Sequence, residues 1–433
     1  MRSRILVRQQ RGPRESEVKQ YLTDKCGMTS ANANFWLGRK DRPGRFTPGE
    51  IIEALILRKK WGTSGYKHAR KCKSMCLPSI TTLRERIAHF RVSTGHIDSA
   101  YKILCRHLEK ENEPWKRLAV ISYDEIAVSS EISYDEREDT MLRRSSKMQV
   151  LMIRGLTRNF KIPLFVDFNQ RMTQDILKAA ITKAERAGAV VISTVSDMAS
   201  ENTKLWSEMG VTYQEPWFTH PDDSSRLVFC LADPPHGIKL LRNHLLDQGF
   251  YLPDGVTKVT KKELEDLYMR DQGEFRMKYK LTSAHIDCTH SQRQRVRLAT
   301  QLISKTVADA LRLDGKEEYA SFIQLFNDAF DVLNSRRKED PKARLRSGYG
   351  GATLDEQNEV LERTYSCVTK MRGITNAGNK KKKMHPFQEG IAMCCRALPK
   401  MWKYIQDRYQ GVEYVLTSRM NQDVLENFFS RYA

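Results

Sequence analysis

Three acidic positions lie far apart in this chain, and their residue types suit the binding of a divalent metal ion. Asp124 follows the apolar run that begins at Leu118, and Asp197 follows the run that begins at Val190. Glu426 lies on an amphipathic helical stretch late in the sequence. Carboxylate oxygens are the ligands that Mg²⁺ prefers, and two such ions about 4 Å apart can promote in-line displacement at a phosphodiester. The three positions therefore predict phosphodiester chemistry if the fold brings them together.

Two strands and a returning helix must position these carboxylates, because spacing alone does not single out three of the 53 acidic residues. Residues 118–123 and 190–195 have the length and apolar character of buried strands. Residues 255–400 are predicted to be helical almost throughout, as in 292–311 and 318–333. The acidic site is then coherent only if this helical block is inserted into a sheet domain. Further predicted elements are strands at 131–134, 147–154, 162–166 and 227–231 and a helix at 174–186.

The charge of the chain predicts a polyanionic partner. The sequence has 73 Lys and Arg against 53 Asp and Glu, a net charge of +20. Residues 1–120 hold 26 basic and 11 acidic side chains, so most of the positive excess lies ahead of Asp124. Such an excess attracts nucleic acid, although a merely soluble basic surface is the alternative.

Cysteine usage and hydropathy bear on the compartment. The nine cysteines are scattered without paired spacing, as is typical of reduced intracellular thiols. No apolar run approaches the roughly 18 residues of a membrane span, so we expect no membrane partner. The four lysines at 380–383 are a candidate nuclear-import signal, with a solvated charged loop as the alternative. We expect a nuclear protein.

Three short helices after residue 45 fit a helix-turn-helix module. Thr47, Pro48 and Glu50 form a helix start signal, a break follows near residues 61–65, and a third helix begins after Ser79. The third helix presents residue types suited to phosphates and base edges in the major groove, and an ordinary surface helix is the equally weighted alternative. The DNA-binding candidates are Thr81, Thr82, Arg84, Arg86 and His89.

Several motifs resemble the P element transposase family. They are ADPPHGIKLLRNHLL at 232–246, SDMASENTKLW at 196–206, YDE at 123–125, YDERED at 134–139, FDVLNSR at 330–336 and NQDVLENFF at 421–429. They occur in family order over residues 45–430. The resemblance implies a ribonuclease H-like α+β catalytic domain with a mixed sheet, an all-helical GTP-binding insertion and a preceding helix-turn-helix region. The implied divisions are a basic arm at 1–45, the helix-turn-helix region at 46–114, the catalytic domain at 115–250, the insertion at 251–405 and a return helix at 406–433.

Motif matches also imply roles for individual residues. Asp124, Asp197 and Glu426 match the family's catalytic acidic triad, which would bind Mg²⁺ or Mn²⁺ to cleave transposon ends and join them to target DNA. Asp233 and Asp423 are candidates to support the site, although Asp233 also suits a helix cap. GTP binding follows from the resemblance alone, since the sequence has no phosphate-loop motif. Asp331 is the candidate to read guanine, and Lys280 is the candidate phosphate or ribose contact.

Two departures from the family pattern leave alternatives open. No Cys, Cys, Cys, His spacing of a THAP zinc finger precedes the helix-turn-helix region, and the sequence stops seven residues after Glu426. We therefore expect a C-terminally truncated transposase. The alternatives are a domesticated or truncated DNA-binding derivative without catalysis and a generic ribonuclease H-like nuclease. Transposases usually act as multimers, so we expect a homo-oligomer.

Overall fold

The computed structural model describes residues 15–25, 30–38, 46–72, 76–88, 94–128, 133–135, 140–142, 145–270 and 281–430. The chain divides into two compact units, Met1–Val92 and Ser93–Ala433, and each is described by itself. Among the described helices, none combines the length and apolar character that crossing a membrane requires.

The first unit is helical. The capping box predicted at Thr47 is confirmed, because the Thr47 Oγ1 accepts the Glu50 N–H at 3.3 Å and Glu50 Oε2 accepts the Thr47 N–H at 2.9 Å. The predicted break appears as a kink at Gly62, whose φ of 70° is left-handed. A small core packs Tyr66 and Leu83 together, and the Tyr66 hydroxyl donates to Pro78 O at 2.9 Å. The helices are α1 (Glu15–Asp24), α2 (Ser30–Trp36), α3 (Pro48–Lys71) and α4 (Ile80–Ala88).

The first part of the second unit forms a mixed sheet, as predicted, and the structure shows that this sheet has seven strands. Its elements are β1 (Gly95–His96), α5 (Asp98–Leu108), β2 (Leu118–Ala127), β3 (Ser133–Asp135), β4 (Thr140–Leu142), β5 (Lys147–Gly155), β6 (Lys161–Phe168), α6 (Gln174–Arg186), β7 (Val190–Ser196), α7 (Ser200–Glu208), β8 (Trp217–His220), β9 (Asp223–Ala232) and α8 (Pro234–Asp247). The strand order in the sheet is β1-β6-β5-β2-β7-β9-β8, and β3 and β4 form a separate two-stranded antiparallel sheet. Strands β2, β7 and β9 run parallel, and the other pairs within the seven-stranded sheet are antiparallel.

The end of β2 differs from the prediction. The sequence predicts Asp124 at the end of a strand, yet β2 continues to Ala127 because residues 124–127 keep pairing with β5, from Asp124 opposite Val150 to Ala127 opposite Lys147. The parallel partner β7 does end at Ser196, directly before Asp197. Asp124 therefore lies inside a strand where its neighbour has already stopped.

The remainder of the second unit is mostly helical but not entirely so. Three two-residue strands pair in the order β11-β10-β12, which corrects the expectation of a helical block. The helix expected at 292–311 is three helices. The Ser304 side chain caps the start of the third, whereas the second begins after Arg295 without a side-chain cap. The elements are β10 (Phe250–Tyr251), β11 (Lys258–Val259), α9 (Lys261–Arg270), α10 (Ser283–Ile286), α11 (His290–Arg293), α12 (Val296–Leu302), α13 (Lys305–Leu313), α14 (Glu317–Leu333), α15 (Leu354–Lys370), β12 (Arg372–Gly373), α16 (Pro386–Arg408) and α17 (Asp423–Phe429).

The helical part returns to the sheet through α17. Val424, Leu425 and Phe429 are buried and pack against Val150 and Met152 of β5. Helix α17 therefore covers strands β2 and β5 beside the position of Asp124. The three acidic residues can come together only if the helix that carries Glu426 packs against the sheet, and α17 does so.

Candidate active site

Asp124 in β2 lies level with Asp197, which directly follows the neighbouring parallel strand β7. The register pairs Ser122 of β2 with Val195 of β7. Asp124 is two residues after Ser122, and Asp197 is two residues after Val195. The two carboxyl groups are near enough that Asp197 raises the pKa of Asp124. The carboxyl ends of parallel strands are a common place for ligand sites, so this pair is the centre of the candidate site.

The carboxylate of Asp197 is held on one side by the start of α7. Its Oδ1 accepts the Ala199 N–H at 3.0 Å and the Asn202 side-chain N–H at 2.7 Å. Both hydrogen bonds fall on the same oxygen, so Oδ2 has no hydrogen bond from the described residues. An aspartate fixed in this way presents a defined oxygen to a ligand.

Asp124 is partly buried and electrostatically strained. Burial, followed by the charge of Asp197, raises its pKa to about 7, and Asp233 and Glu426 add to the shift. The Glu125 N–H donates to Asp124 Oδ1 at 2.8 Å and opposes it. Because a nearby cation favours ionised carboxylates, these repulsions would be relieved by a bound divalent ion.

Glu426 is brought to the pair by a hydrogen-bonded segment that precedes α17. The Gln422 side-chain N–H donates to Tyr123 O at 2.9 Å, and the Gln422 backbone N–H donates to Asp233 Oδ1 at 2.8 Å. The Glu426 side chain is exposed, yet partial burial of its carboxyl and the charge of Asp423 raise its pKa, while Lys239 opposes the shift. The third carboxylate therefore lies on a helix docked against β2, near enough to Asp124 to add to the rise in its pKa.

Asp233 and Asp423 have structural partners. Asp233 caps α8, because its Oδ2 accepts the His236 N–H at 2.8 Å, and burial raises its pKa to about 7. The cap joins α8 to the segment that carries Glu426. Asp423 pairs with Arg336 at 3.3 Å between Oδ2 and Nη2. Both side chains therefore hold elements that surround the three candidate carboxylates.

An open cleft lies over the two aspartates. It is lined among others by Asp124, Glu125, Lys147, Gln149, Asp197 and Asn202. Among the described side chains, no three carboxylate, imidazole or thiolate groups stand close enough as placed to enclose a metal ion. The types of ligand present still suit Mg²⁺, because two fixed carboxylates face the cleft and Mg²⁺ keeps several water molecules in its coordination shell. A third protein ligand requires Glu426 to turn inward.

Three residues of the site were missed by sequence reasoning: Asn202, Gln149 and Gln422. The first orients Asp197, the second donates from Nε2 to Asp124 O at 3.0 Å, and the third ties the return segment to β2. Asn202 carried a local signal, since it lies in the first turn of a helix that follows an acidic residue. The partners of Gln149 and Gln422 depend on pairing between distant segments.

The structure describes some of the candidate residues for GTP and DNA contacts and not others. Asp331 lies on α14, where burial raises its pKa to about 6 and Arg346 opposes the shift. Lys280 lies outside the described residues. On α4, Arg84 and Arg86 are exposed, as is Thr81.

Thr82 contributes to the start of α4. Its N–H donates to Ser79 Oγ at 2.9 Å, and its hydroxyl lies 2.8 Å from the same atom. Its hydroxyl is therefore already engaged within the unit. His89, the last DNA-contact candidate, lies outside the described part of the chain.

Comparisons with known proteins agree with this architecture. A family model described as TNP-like, RNase H N-terminal domain matches residues 92–210, and one described as TNP-like, GTP-binding insertion domain matches residues 235–344. The solved structure titled Drosophila P element transposase strand transfer complex has a TM-score of 0.83 and 31% identity, and the similarity covers 96% of this chain and 92% of that chain. The ribonuclease H-like fold predicted from the sequence is thereby confirmed.

Two curated proteins are similar over most of this chain. The Transposable element P transposase of Drosophila melanogaster is 33% identical over 393 residues, which cover 89% of this chain and 50% of that protein. The DNA transposase THAP9 of Homo sapiens is 21% identical over 403 residues, which cover 84% of this chain and 43% of that protein. The chain thus spans about half the length of these curated relatives or slightly less.

Proposed function

The chain belongs to the P element transposase family, and on this premise we propose that it is a DNA transposase that acts in the nucleus. In this proposal it cleaves transposon-end DNA and joins the freed 3′-hydroxyl to target DNA. The observation that carries the proposal is the convergence of Asp124, Asp197 and the helix of Glu426 on one end of the sheet.

Asp124, Asp197 and Glu426 would hold Mg²⁺ or Mn²⁺. Such ions lower the pKa of an attacking hydroxyl or water and stabilise the charge on the leaving oxygen. Glu426 has to turn toward the cleft to complete the ligand set, and its exposed side chain permits this. The fixed Asp197 and the strand-borne Asp124 supply the rigid part of the site.

The remaining residues of the site position these three. Asn202 fixes which oxygen Asp197 presents. Gln422 holds the segment before α17 against β2, and Asp233 accepts the Gln422 N–H while capping α8. The chain thus contributes a preorganised frame in which the scissile phosphate and the attacking oxygen are held in line.

DNA binding would involve the basic first unit. Most of the chain's positive excess lies in residues 1–120, and Arg84 and Arg86 are exposed on α4. A helix-turn-helix that places α4 in the major groove would use these residues on phosphates and base edges. The acting unit would be a homo-oligomer that holds two transposon ends.

The segment at 235–344 would bind GTP. Support comes from the match to a GTP-binding insertion model over these residues. Asp331 has no hydrogen bond to the other described residues and is partly buried, which suits a carboxylate that accepts from guanine N1 and N2. Lys280 is retained as the candidate contact to phosphate or ribose.

A DNA-binding derivative without catalysis is the second candidate. It is favoured by one observation, that no three ligands among the described side chains enclose an ion as placed. It predicts DNA binding without strand joining.

Strand joining with pre-cleaved transposon-end DNA and Mg²⁺ or Mn²⁺ separates the two. We expect the parent protein to join strands and Asp124→Ala to lose joining while it still binds DNA. Asp175→Ala is the matched control, since Asp175 is an acidic residue at the start of α6 outside the site. Joining by Asp124→Ala at the parent rate would refute the site, and binding without joining by the parent would favour the second candidate.

A further inference from the structure

A group of lysines that the proposed reaction does not use lies on the small three-stranded sheet of the second unit. Lys258 belongs to β11, and the lysines at 380–383 follow β12. None of these five forms an ion pair with a described carboxylate. Lys258, Lys380, Lys382 and Lys383 are exposed, while Lys381 is half-buried. We refer to these five residues as the lysine surface.

The loop that carries the lysines is folded and tied to the sheet. The Lys381 N–H donates to Gly373 O at 2.8 Å, and the Thr375 N–H donates to Asn379 O at 2.8 Å. The tip is held as well, because the Tyr251 hydroxyl donates to Gly378 O at 2.8 Å. The backbone that carries the lysines at 380–383 is therefore held in a defined conformation.

Two of the lysines gather around one aromatic ring. The Nζ atom of Lys258 is 5.0 Å from the centroid of the Tyr251 ring, and that of Lys380 is 5.1 Å from it. Cation–π contacts of this kind hold ammonium groups in place without neutralising them. The nearby carboxylate of Asp254 accepts hydrogen bonds from the Thr257 hydroxyl and from the backbone N–H groups of Val256 and Thr257. These bonds, together with the charge of Lys380, lower the pKa of Asp254, but the carboxylate forms no ion pair with the described lysines of this group.

Like charges held together in this way repel one another, and an anion would relieve the repulsion. The positive potential extends inward, since Lys381 adds to the effect of burial in lowering the pKa values of His244 and His385. Lysine is a compact point charge with rotatable donors, which suits phosphate oxygens and gives no base readout.

We propose that the lysine surface binds the phosphate backbone of duplex DNA. The inference rests on the proposed function, because it takes the polyanion to be the DNA on which the transposase acts. The folded loop favours this ligand over a nuclear-import receptor. A receptor that binds a basic peptide in extended form would have to break the hydrogen bonds at Lys381 and Thr375.

The test compares two variants with the same reduction of charge in the full chain. One carries Lys258→Gln, Lys380→Gln, Lys382→Gln and Lys383→Gln, and leaves the half-buried Lys381 unchanged. The control carries the same change at Lys102, Lys110, Lys316 and Lys403, which are exposed elsewhere in the second unit. The dissociation constant for a fluorescent 40-base-pair duplex is measured between 50 and 200 mM salt.

We expect the slope of log affinity against log salt to become shallower by about 0.9 for each phosphate that the variant no longer neutralises, so by roughly 2 to 4 in the first variant. The control keeps the parent slope, and replacing the same four residues by Arg restores it. Retention of the parent slope by the first variant would overturn the proposal. Loss of nuclear accumulation with an unchanged DNA slope would assign the surface to an import receptor instead.

Failure of this inference and failure of the proposed function give different results. If the parent joins DNA strands and the first variant binds DNA as the control does, the lysine surface alone is wrongly assigned. If the parent does not bind duplex DNA, the proposed function fails and the lysine surface falls with it.

Discussion

At the residue scale, the acidic cleft differs from a chance group of surface carboxylates in how its members are held. Asp197 receives two hydrogen bonds on one oxygen. Asp124 is partly buried among like charges, with its pKa raised to about 7 by burial and by Asp197. Such an arrangement is costly for a folded protein unless a ligand compensates it.

Asn202 offers a test of this positioning. Asn202→Ala removes the shorter of the two hydrogen bonds to Asp197 Oδ1 and leaves the Ala199 N–H as the remaining donor. The carboxylate is then held less firmly, so we expect the affinity for Mn²⁺ to fall by about 10- to 100-fold. Binding is measured by electron paramagnetic resonance of free Mn²⁺, and joining is measured in parallel. Thr203→Ala on the same helix is the control, because the Thr203 hydroxyl bonds to Ser200 O and not to Asp197. Unchanged Mn²⁺ affinity in Asn202→Ala would count against a positioning role.

Asp331 gives a prediction about pH. Its pKa is about 6, raised by burial and opposed by Arg346, and reading guanine requires the ionised carboxylate. Protonation therefore competes with GTP as the pH falls, and the Kd should rise about tenfold per pH unit below 6. Above pH 7 the carboxyl is ionised and this contribution is constant.

Isothermal titration of GTP into the protein from pH 5 to 8 measures this dependence. Asp331→Asn is the reference, since ionisation of the nucleotide itself affects both proteins equally. We expect Asp331→Asn to bind GTP weakly and to lack the extra pH dependence of the parent. Equal pH profiles for the two proteins would remove Asp331 from guanine recognition.

At the element scale, local patterns predicted individual elements well and long-range pairings poorly. Helix α6 spans Gln174–Arg186 as predicted, because Thr173 caps it and Gly188 follows it. The two-residue strands β10, β11 and β12 carry no local pattern, since each exists through pairing with a distant partner. The extension of β2 past Asp124 depends in the same way on β5.

The residues of the candidate site likewise differ in whether a local sequence pattern or a distant partner positions them. Asp124 and Asp197 could be predicted because each follows an apolar run of strand length. The hydrogen bond from the Gln422 N–H to Asp233 could not, because 189 positions of sequence separate the two residues. The motif resemblance supplied Glu426, whose approach to the strands requires the whole helical block to return.

Helix α17 provides a prediction for this return. Leu425 is fully buried against the sheet, so Leu425→Ala should cost about 2–5 kcal/mol at its site. We expect the cost to appear as local release of α17, with faster hydrogen exchange across residues 423–429 and loss of joining. Asn427→Ala, which alters an exposed residue of the same helix, should change neither the hydrogen exchange of α17 nor strand joining. Full joining by Leu425→Ala, with fast exchange in α17, would show that the helix need not be docked.

At the scale of the whole molecule, charge and chemistry occupy different parts of the chain. The net charge is +20, and residues 1–120 contribute most of it, whereas the acidic cleft lies in the second unit. DNA binding should therefore survive loss of the catalytic carboxylates.

The salt dependence of DNA binding tests this separation. If 6–10 phosphates are contacted, affinity should fall by roughly 10³ to 10⁵ between 50 and 200 mM salt. The parent and Asp124→Ala should share one slope in a fluorescence anisotropy titration. A different slope in Asp124→Ala would mean that the cleft contributes to DNA affinity in the absence of chemistry.

In the proposed mechanism Asp124 binds the ion that drives strand joining, and exchanging its ligand atom is a direct test of this role. Asp124→Cys replaces a hard oxygen by a softer sulfur, which Mg²⁺ tolerates poorly and Mn²⁺ accepts better. Joining of pre-cleaved transposon-end DNA is measured in each metal for the parent, Asp124→Cys and Asp124→Ala. We predict that Asp124→Cys joins strands in Mn²⁺ but not in Mg²⁺ and that Asp124→Ala joins in neither. Parent-level joining in Mg²⁺ by either variant would contradict the assignment.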